Sequence, residues 1–468
     1  MPQTLLKNTT IVTVDRNHGT LFGCDLLIDG PLIAEIRPGI DAPAAAEIDA
    51  SDMIVMPGLI NAHIHMWETM LRATGADWPG DEYFEVVLGL LGAHVTPEEI
   101  YLSTQLGALN QIDSGCTTVL EWLHCSNTPD HSDQSIQALD DTGIRAVFGH
   151  GTPKPNQRPG EPHFSEIPHP AAEIKRLREG RFAANGSGLV SLAMCILGPD
   201  YAGIEVNRQD FALAREYDLR TSAHVWGGEQ RKTPGGYRPI IEEGLLGQHT
   251  AVHANFFEDD EVKLLIDNGA SFTATPSCEI GVPKPPLISS VIRAGGRPSI
   301  AIDSEIDITG NMFDAMRTAR QLQATFDAIQ AFDPTATRES AGRPDIDAIV
   351  TAQELTCSSL DVLEWATINN AHAMGLGAQI GSLTPGKRAD IVLLRKTDLN
   401  LMPVTDPVQS IVMHANQSNV DTVFIDGTLR KRHGSLLARP PGLATKAEGA
   451  AHRLLDLADQ LGRPLRSP

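Results

Sequence analysis

Short apolar runs, separated by polar turns and by stretches of helical spacing, dominate the middle of this chain. Ile54-Val55-Met56 and Leu59-Ile60 predict a buried strand. Further β-rich runs follow at Thr117–Leu120, Arg145–Phe148, Val190–Met194, Arg220–Ala223, Thr250–Val252, Ser271–Ala274 and Ser299–Ile302. Helical spacing fills stretches between them, as at Gln134–Asp140, Asp210–Tyr217 and Asp259–Asp267. Eight strands alternating with helices predict an α/β protein, a (β/α)8 TIM barrel over residues 57–375.

The two ends have a different texture. Thr9–Val14, Asp25–Ile28 and Leu32–Ile36 are β-rich and are parted by the turn signals Asn17-His18-Gly19 and Asp29-Gly30. The same texture returns at Ala389–Leu394 and Val420–Gly427. This predicts a small composite β-sandwich domain formed by both termini, residues 1–56 and 376–440. A helical tail, 441–468, follows, with an amphipathic helix at 445–462 docked on the body or at a subunit contact. The Pro-rich stretch Gly151–His169 and the stretch Arg231–Tyr237 predict loops past strands three and five, either covering the barrel mouth or lying on the surface. Asp333–Asp347 has no periodic pattern and predicts a mobile connection. No solenoid-type repeat is present.

Charge and cysteine usage narrow the function. A formal charge of -22 over 468 residues disfavours phosphate backbones and anionic lipid, so nucleic acid and membranes are set aside as partners. No apolar run is long enough to span a bilayer, and Met1–Asn8 lacks the apolar core of a signal peptide. Six scattered cysteines without a C-x-x-C pair suggest reduced thiols and a cytoplasmic protein.

Candidate chemistry lies just past the predicted strands, where barrels of this kind place their active sites. His63 and His65 stand two apart, so a strand would present both imidazoles side by side. Of the 16 histidines, six (His63, His65, His124, His150, His224, His253) fall at such positions, a clustering that a solvated surface would not produce. His63, His65, His224 and Asp303 form a donor set for one divalent metal ion, Zn²⁺ first, with Fe²⁺ and Mn²⁺ as alternatives. Such an ion lowers the pKa of a bound water from ~15.7 towards ~7. Asp303 is placed to take the proton, and His253 to polarise the attacked group or hold the hydroxide. Trp67, Trp122 and Trp226 suggest a flat pocket for a planar ring, against the plainer reading of core packing. His124 and His150 either contact that substrate or satisfy hydrogen bonds around the site.

V-M-P-G-L-I-N-A-H-I-H (Val55–His65), V-H-A-N (Val252–Asn255) and A-I-D-S (Ala301–Ser304) resemble the amidohydrolase superfamily, in its cytosine-deaminase-like and s-triazine hydrolase branch. G-C-T-T-V-L-E-W (Gly115–Trp122), L-T-P-G-K-R-A-D-I-V-L-L (Leu383–Leu394) and V-F-I-D-G (Val423–Gly427) extend the resemblance over nearly the whole chain. It implies a metal-dependent hydrolase of carbon–nitrogen bonds other than peptide bonds. The expected reaction is deamination of a planar nitrogen heterocycle with release of ammonia by a cyclic amidine deaminase. The resemblance implies ligand roles for His63, His65, His224 and Asp303, a catalytic role for His253, and a homo-oligomer. Binuclear members carry a carboxylated lysine on strand four; Ala193-Met194-Cys195 offers none, which favours one metal. Many deaminases of this branch carry H-x-x-E at strand five, but here position 227 is glycine. Glu229 is the candidate replacement, with Glu121, Glu279 and Glu305 behind it; Glu279 also stands among the candidate substrate contacts. The missing acid keeps a second reading open: opening of a cyclic amide, or displacement of an alkylamine or halide. Ser304-Glu305 also replaces the family's common continuation after the strand-eight aspartate. A non-catalytic scaffold would generally lose ligands, and all four are present.

Overall fold

The computed structural model describes residues 3–78, 82–183, 188–228, 231–331, 355–463 and 465. The expected mobile connection at Asp333–Asp347 lies outside them, as does Glu229. The chain opens with five strands, β1 (Thr4–Val12), β2 (Thr20–Asp29), β3 (Leu32–Arg37), β4 (Ala46–Asp49) and β5 (Met53–Pro57). Eight strands then form the barrel: β6 (Leu59–Ile64), β7 (Cys116–Leu123), β8 (Arg145–Gly151), β9 (Val190–Ile196), β10 (Thr221–Gly227), β11 (His249–Phe256), β12 (Ser271–Ala274) and β13 (Pro298–Ile300). They pair in chain order, each parallel to the next. The (β/α)8 expectation is borne out strand by strand.

After the barrel come β14 (Ile391–Arg395), β15 (Val420–Ile425), β16 (Thr428–Arg432) and β17 (Ser435–Leu436). They join β1–β5 in one nine-stranded sheet, with β14 antiparallel to β5. The composite β-domain is therefore a single sheet. It curls until β3 meets the approach to β14, through the Leu32–Arg388 bridge and the Ile33 N–H to Lys387 carbonyl bond of 2.9 Å. Strand alternation divides its apolar residues. Val55, Ile391, Leu393 and Phe424 fill the core inside the curl. Ile54, Met56, Val392, Leu394, Val423 and Ile425 turn the other way and share the barrel's core with Leu59, Cys116 and Val119. A buried ion pair adds to this seam, with Arg145 at the start of β8 donating to Asp390 at 2.8 and 3.0 Å.

The barrel closes between β6 and β13 with few ladder bonds, and side chains do much of the joining. Asn370 accepts from the Ile300 N–H at 3.0 Å and donates to the carbonyls of Ile60 and Ile300. Asn61 accepts from the Ile302 N–H at 3.1 Å. At the C-terminal end the backbones of the candidate ligands complete the join: Asp303 N–H to His63 carbonyl at 3.0 Å, and His65 N–H to Asp303 carbonyl at 2.9 Å. The helix Leu443–Gln460 buries Leu443, Ala447, Ala450, Leu454 and Ala458, a helical stripe, and lies against the helix Pro97–Asp113 with Arg453 paired to Glu99. No helix of the described residues is long and apolar enough to cross a membrane.

Candidate metal centre

Local irregularities in the strands aim the donors. Asn61 pairs with Val119 but Ile64 with Glu121, so β6 carries one extra residue between them. A bulge of this kind shifts which residues face inward. Ile60 and Ala62 lie in the barrel's inner core, and His63 and His65 follow them to the inside, while Ile64 packs in the outer core. On β11, His253 and Ala254 adopt φ of 73° and 46°, and Asp303 adopts 85°. Non-glycine residues rarely hold such angles, which cost on the order of 1–3 kcal/mol each and concentrate at functional sites.

Four donor atoms converge. His63 Nε2 lies 3.0 Å and His65 Nε2 lies 3.3 Å from Asp303 Oδ1. His224 Nε2 lies 3.2 Å from both His63 Nε2 and His65 Nε2. Donors at about 2.0–2.1 Å from a tetrahedral ion stand about 3.3 Å apart, so the set fits one divalent cation. Its chemistry fits as well. His65 Nδ1 faces the Trp122 carbonyl at 3.0 Å and must donate to it, which leaves the Nε2 lone pair for the ion. Burial pushes the His63 imidazole down to about 3 and the His224 imidazole well below its ordinary range, so both are neutral, as ligands must be. Asp303 is held well below the usual carboxylate range: burial pushes it up, but His253, His63 and His65 outweigh that.

His253 stands with His63, His224 and Asp303, one donor atom of each lying within 4.8 Å of the others, and its ring stacks 5.5 Å from that of His224. Its Nδ1 lies 3.0 Å from Thr275 Oγ1 and 3.3 Å from Glu279 Oε1. Burial lowers its pKa, yet Asp303 and Glu279 raise it by more, for a net upward shift. Glu279 is fixed in turn by the Thr275 N–H at 2.8 Å.

A cavity of about 260 Å³ opens above the donors, lined in part by His65, His124, His224, His253, Glu279 and Asp303. Trp226 stands on its wall and is 46% exposed. Trp67 and Trp122 are buried and contribute nothing to that wall: the Trp122 ring packs 3.8 Å from that of His224, and the Trp67 indole donates to His124 Nδ1 at 3.3 Å. His150 also lies away from the cavity, buried with its Nδ1 2.9 Å from His169 Nε2. Strand-end position alone does not distinguish a residue facing the mouth from one packed behind it.

Among the other candidate acids, Glu121 accepts from the Met66 N–H at 2.8 Å, and Glu305 is tied by Thr69 at 2.6 Å, Arg72 at 2.8 Å and Asn110 at 2.9 Å. Gly227 has a structural reason. Its φ is 93°, and a Cβ there would stand 2.7 Å from the Phe256 carbonyl carbon. Asp200 Oδ2 holds this turn by accepting from the N–H groups of Trp226 and Gly227 at 2.6 and 2.8 Å.

Sequence reasoning missed Glu68, Tyr83, Lys154 and Tyr201. Glu68 is buried and accepts from Tyr83 Oη at 2.8 Å and Ser304 Oγ at 2.6 Å. Burial lifts its carboxyl to about 7. Its place three residues after His65 was the one signal available. Tyr83, Lys154 and Tyr201 come from segments beyond strands β6, β8 and β9, where no periodic pattern points to the cavity.

The sequence profile of the Amidohydrolase family matches residues 54–430, and the chain belongs to that family. It is a hydrolase of the metal-dependent amidohydrolase type, as the resemblance implied. It is 27% identical over 471 residues to the 5-methylthioadenosine/S-adenosylhomocysteine deaminase of Desulforudis audaxviator, covering 97% of this chain and 99% of that one. Its fold is that of an adenosine deaminase from Xanthomonas campestris with bound zinc (TM-score 0.76, 20% identity, 96% of this chain and 98% of that one). It matches equally well the fold of an atrazine chlorohydrolase from Arthrobacter aurescens complexed with zinc (TM-score 0.78, 20% identity, 96% and 100%).

Proposed function

We propose that this chain is an aminohydrolase that replaces the amino group of a planar nitrogen heterocycle with oxygen: ring C–NH2 plus water gives ring C=O plus ammonia. The convergence of three Nε2 atoms and Asp303 Oδ1, with four of the separations among them at 3.0–3.3 Å, carries this reading. The kinship with a deaminase of purine nucleosides supports it and makes aminopurines the first substrates to test. His63, His65, His224 and Asp303 would hold one divalent ion, zinc before iron or manganese. When bound, that ion supplies Lewis acidity that acidifies a water.

The chain's own groups do the rest. Asp303, ionised, takes the water's proton at the carboxylate oxygen turned away from His63 and His65. Thr275 and Glu279 hold His253 by Nδ1, and the imidazolium form, which Asp303 and Glu279 favour, donates from Nε2 to the charge that grows at the attacked carbon's substituent. Glu68 stores a proton near neutral pH, and Ser304 and Tyr83 connect it to the cavity they line. It supplies the protonation that a carboxylate at position 227 would otherwise give. Trp226 offers a face for the ring to stack on. Glu229 remains a candidate for the same proton transfer, and His124 and Glu279 for substrate contact.

A second reading rests on Gly227. A leaving group that departs as an anion, such as halide, needs no acid at that position. One screen separates the two. Metal-loaded protein is incubated with aminopurines, pyrimidines, pterins and triazines, with ammonia assayed and product mass measured. Ammonia release, abolished in Asp303→Asn, is expected. Turnover of linear amides alone would end the heterocycle reading, and halide release without ammonia would establish the second one.

A further inference from the structure

Lys154 has no part in the reaction just described. It belongs to the Pro-rich segment after β8 and lines the same cavity as His65, His224 and Asp303, the sole lysine or arginine among the described lining residues. Its ammonium lies 4.8 Å from the centroid of the Tyr201 ring. No described residue forms an ion pair with it. Three acids in or behind the cavity wall are engaged elsewhere: Asp303 with the histidines, Glu279 with His253 and Thr275, and Glu68 with Tyr83 and Ser304; Asp307, also on the wall, forms no ion pair with Lys154. Burial lowers its pKa to about 8, which still leaves it largely cationic at neutral pH.

An ammonium withdrawn from water is costly unless it is paired, and a ring face compensates only part of that cost. A lysine offers three donors on a flexible stem, well suited to an anionic oxygen arriving with a ligand. We infer that Lys154 is a substrate-recognition residue, and that the heterocycle processed here carries an anionic oxygen, either a carboxylate substituent or an ionised ring oxygen, which pairs with its ammonium. This rests on the aminohydrolase reading for the reaction but not for the binding.

The test compares metal-loaded wild type, Lys154→Met and Lys154→Arg. Three kinds of aminated ring are supplied: neutral, carboxylate-bearing, and carrying an acidic ring oxygen. Ammonia release gives KM and kcat, and calorimetry gives equilibrium binding of the corresponding deaminated rings. Lys154→Met is expected to raise KM about 30-fold for one anionic kind, to leave the neutral kind unchanged, and to alter kcat little. Lys154→Arg should restore most of the affinity. Which anionic kind responds identifies the oxygen. Equal losses for neutral and anionic rings, or none for either anionic kind, would overturn the inference. If no ring is deaminated, the proposed reaction fails and calorimetry alone decides. Binding of an anionic ring that weakens in Lys154→Met then supports the inference, and binding unchanged by the substitution, or absent from wild type, overturns it.

Discussion

Two groups of buried histidines cap strands of the same barrel, and their nitrogens face different partners. At the ends of β6 and β10, His63, His65 and His224 turn three Nε2 atoms toward one another and toward Asp303 Oδ1. At the end of β8, His150 Nδ1 meets His169 Nε2 at 2.9 Å, and His169 Nδ1 meets Thr152 Oγ1 at 3.0 Å. Neutral tautomers link the second group as a chain of donors and acceptors that ends at His150 Nε2, buried without a partner. In the first, three imidazole nitrogens and an ionised carboxylate oxygen crowd around one point, a donor set that a divalent cation can occupy. Burial and strand-end position are common to both. Convergence on a carboxylate is what makes one of them a candidate cation site.

The largest expected effect breaks the two groups apart. Asp303→Asn or His65→Ala should lower the rate of ammonia release by at least ~10³-fold, whereas His150→Gln should stay within about threefold of wild type. Comparable losses in all three would erase the distinction. Next in size is the response to chelation. An ion present at a thousand times its dissociation constant stabilises the folded state by about 4 kcal/mol. Dialysis against a chelator should therefore lower the melting temperature of wild type and of His150→Gln, with recovery on adding Zn²⁺, and should leave Asp303→Asn unmoved.

The second group has its own signature in pH. Asp210 accepts the His169 N–H at 2.7 Å, and its other oxygen is buried without a partner. Burial lifts its carboxyl to about 7, against the pull of that one bond. An unfolded aspartate ionises near 3.9, so between about pH 4 and 7 the folded chain keeps a proton that the unfolded chain has released. Stability therefore falls as pH rises through that window and levels off above it. The contribution is on the order of 4 kcal/mol, and Asp210→Asn should remove it. Denaturant midpoints at pH 5 and pH 8 measure the change, and an unaltered pH dependence in the variant would show that Asp210 is ionised throughout. The smallest effect concerns the cavity wall. Trp226→Ala should weaken a planar substrate by about 1 kcal/mol, a fivefold rise in KM, with metal content unchanged.

Much of the centre was legible because its signals are local or ordered along the chain. H-x-H at a strand end, a histidine after strand five and an aspartate after strand eight follow from strand alternation and barrel topology. What stayed hidden depends on contacts that spacing does not encode. His169, which marks His150 as a hydrogen-bonded residue, lies 19 positions away in a segment without pattern. The bulge in β6 appears only when its register with β7 is known. Gly227 reads in sequence as a lost acid, yet the crowding by Phe256 that forbids a side chain there belongs to a neighbouring strand. The β-domain shows the same limit: both termini announce their strands, but the pairing of β14 with β5 that makes them one sheet is a tertiary event.

Elemental analysis of purified protein tests the central claim most directly. The account predicts about one equivalent of a divalent transition metal per chain in wild type and in His150→Gln, and almost none in Asp303→Asn. Wild type that holds no stoichiometric metal even after incubation with zinc, iron or manganese, or an Asp303→Asn variant that holds a full equivalent, would contradict it.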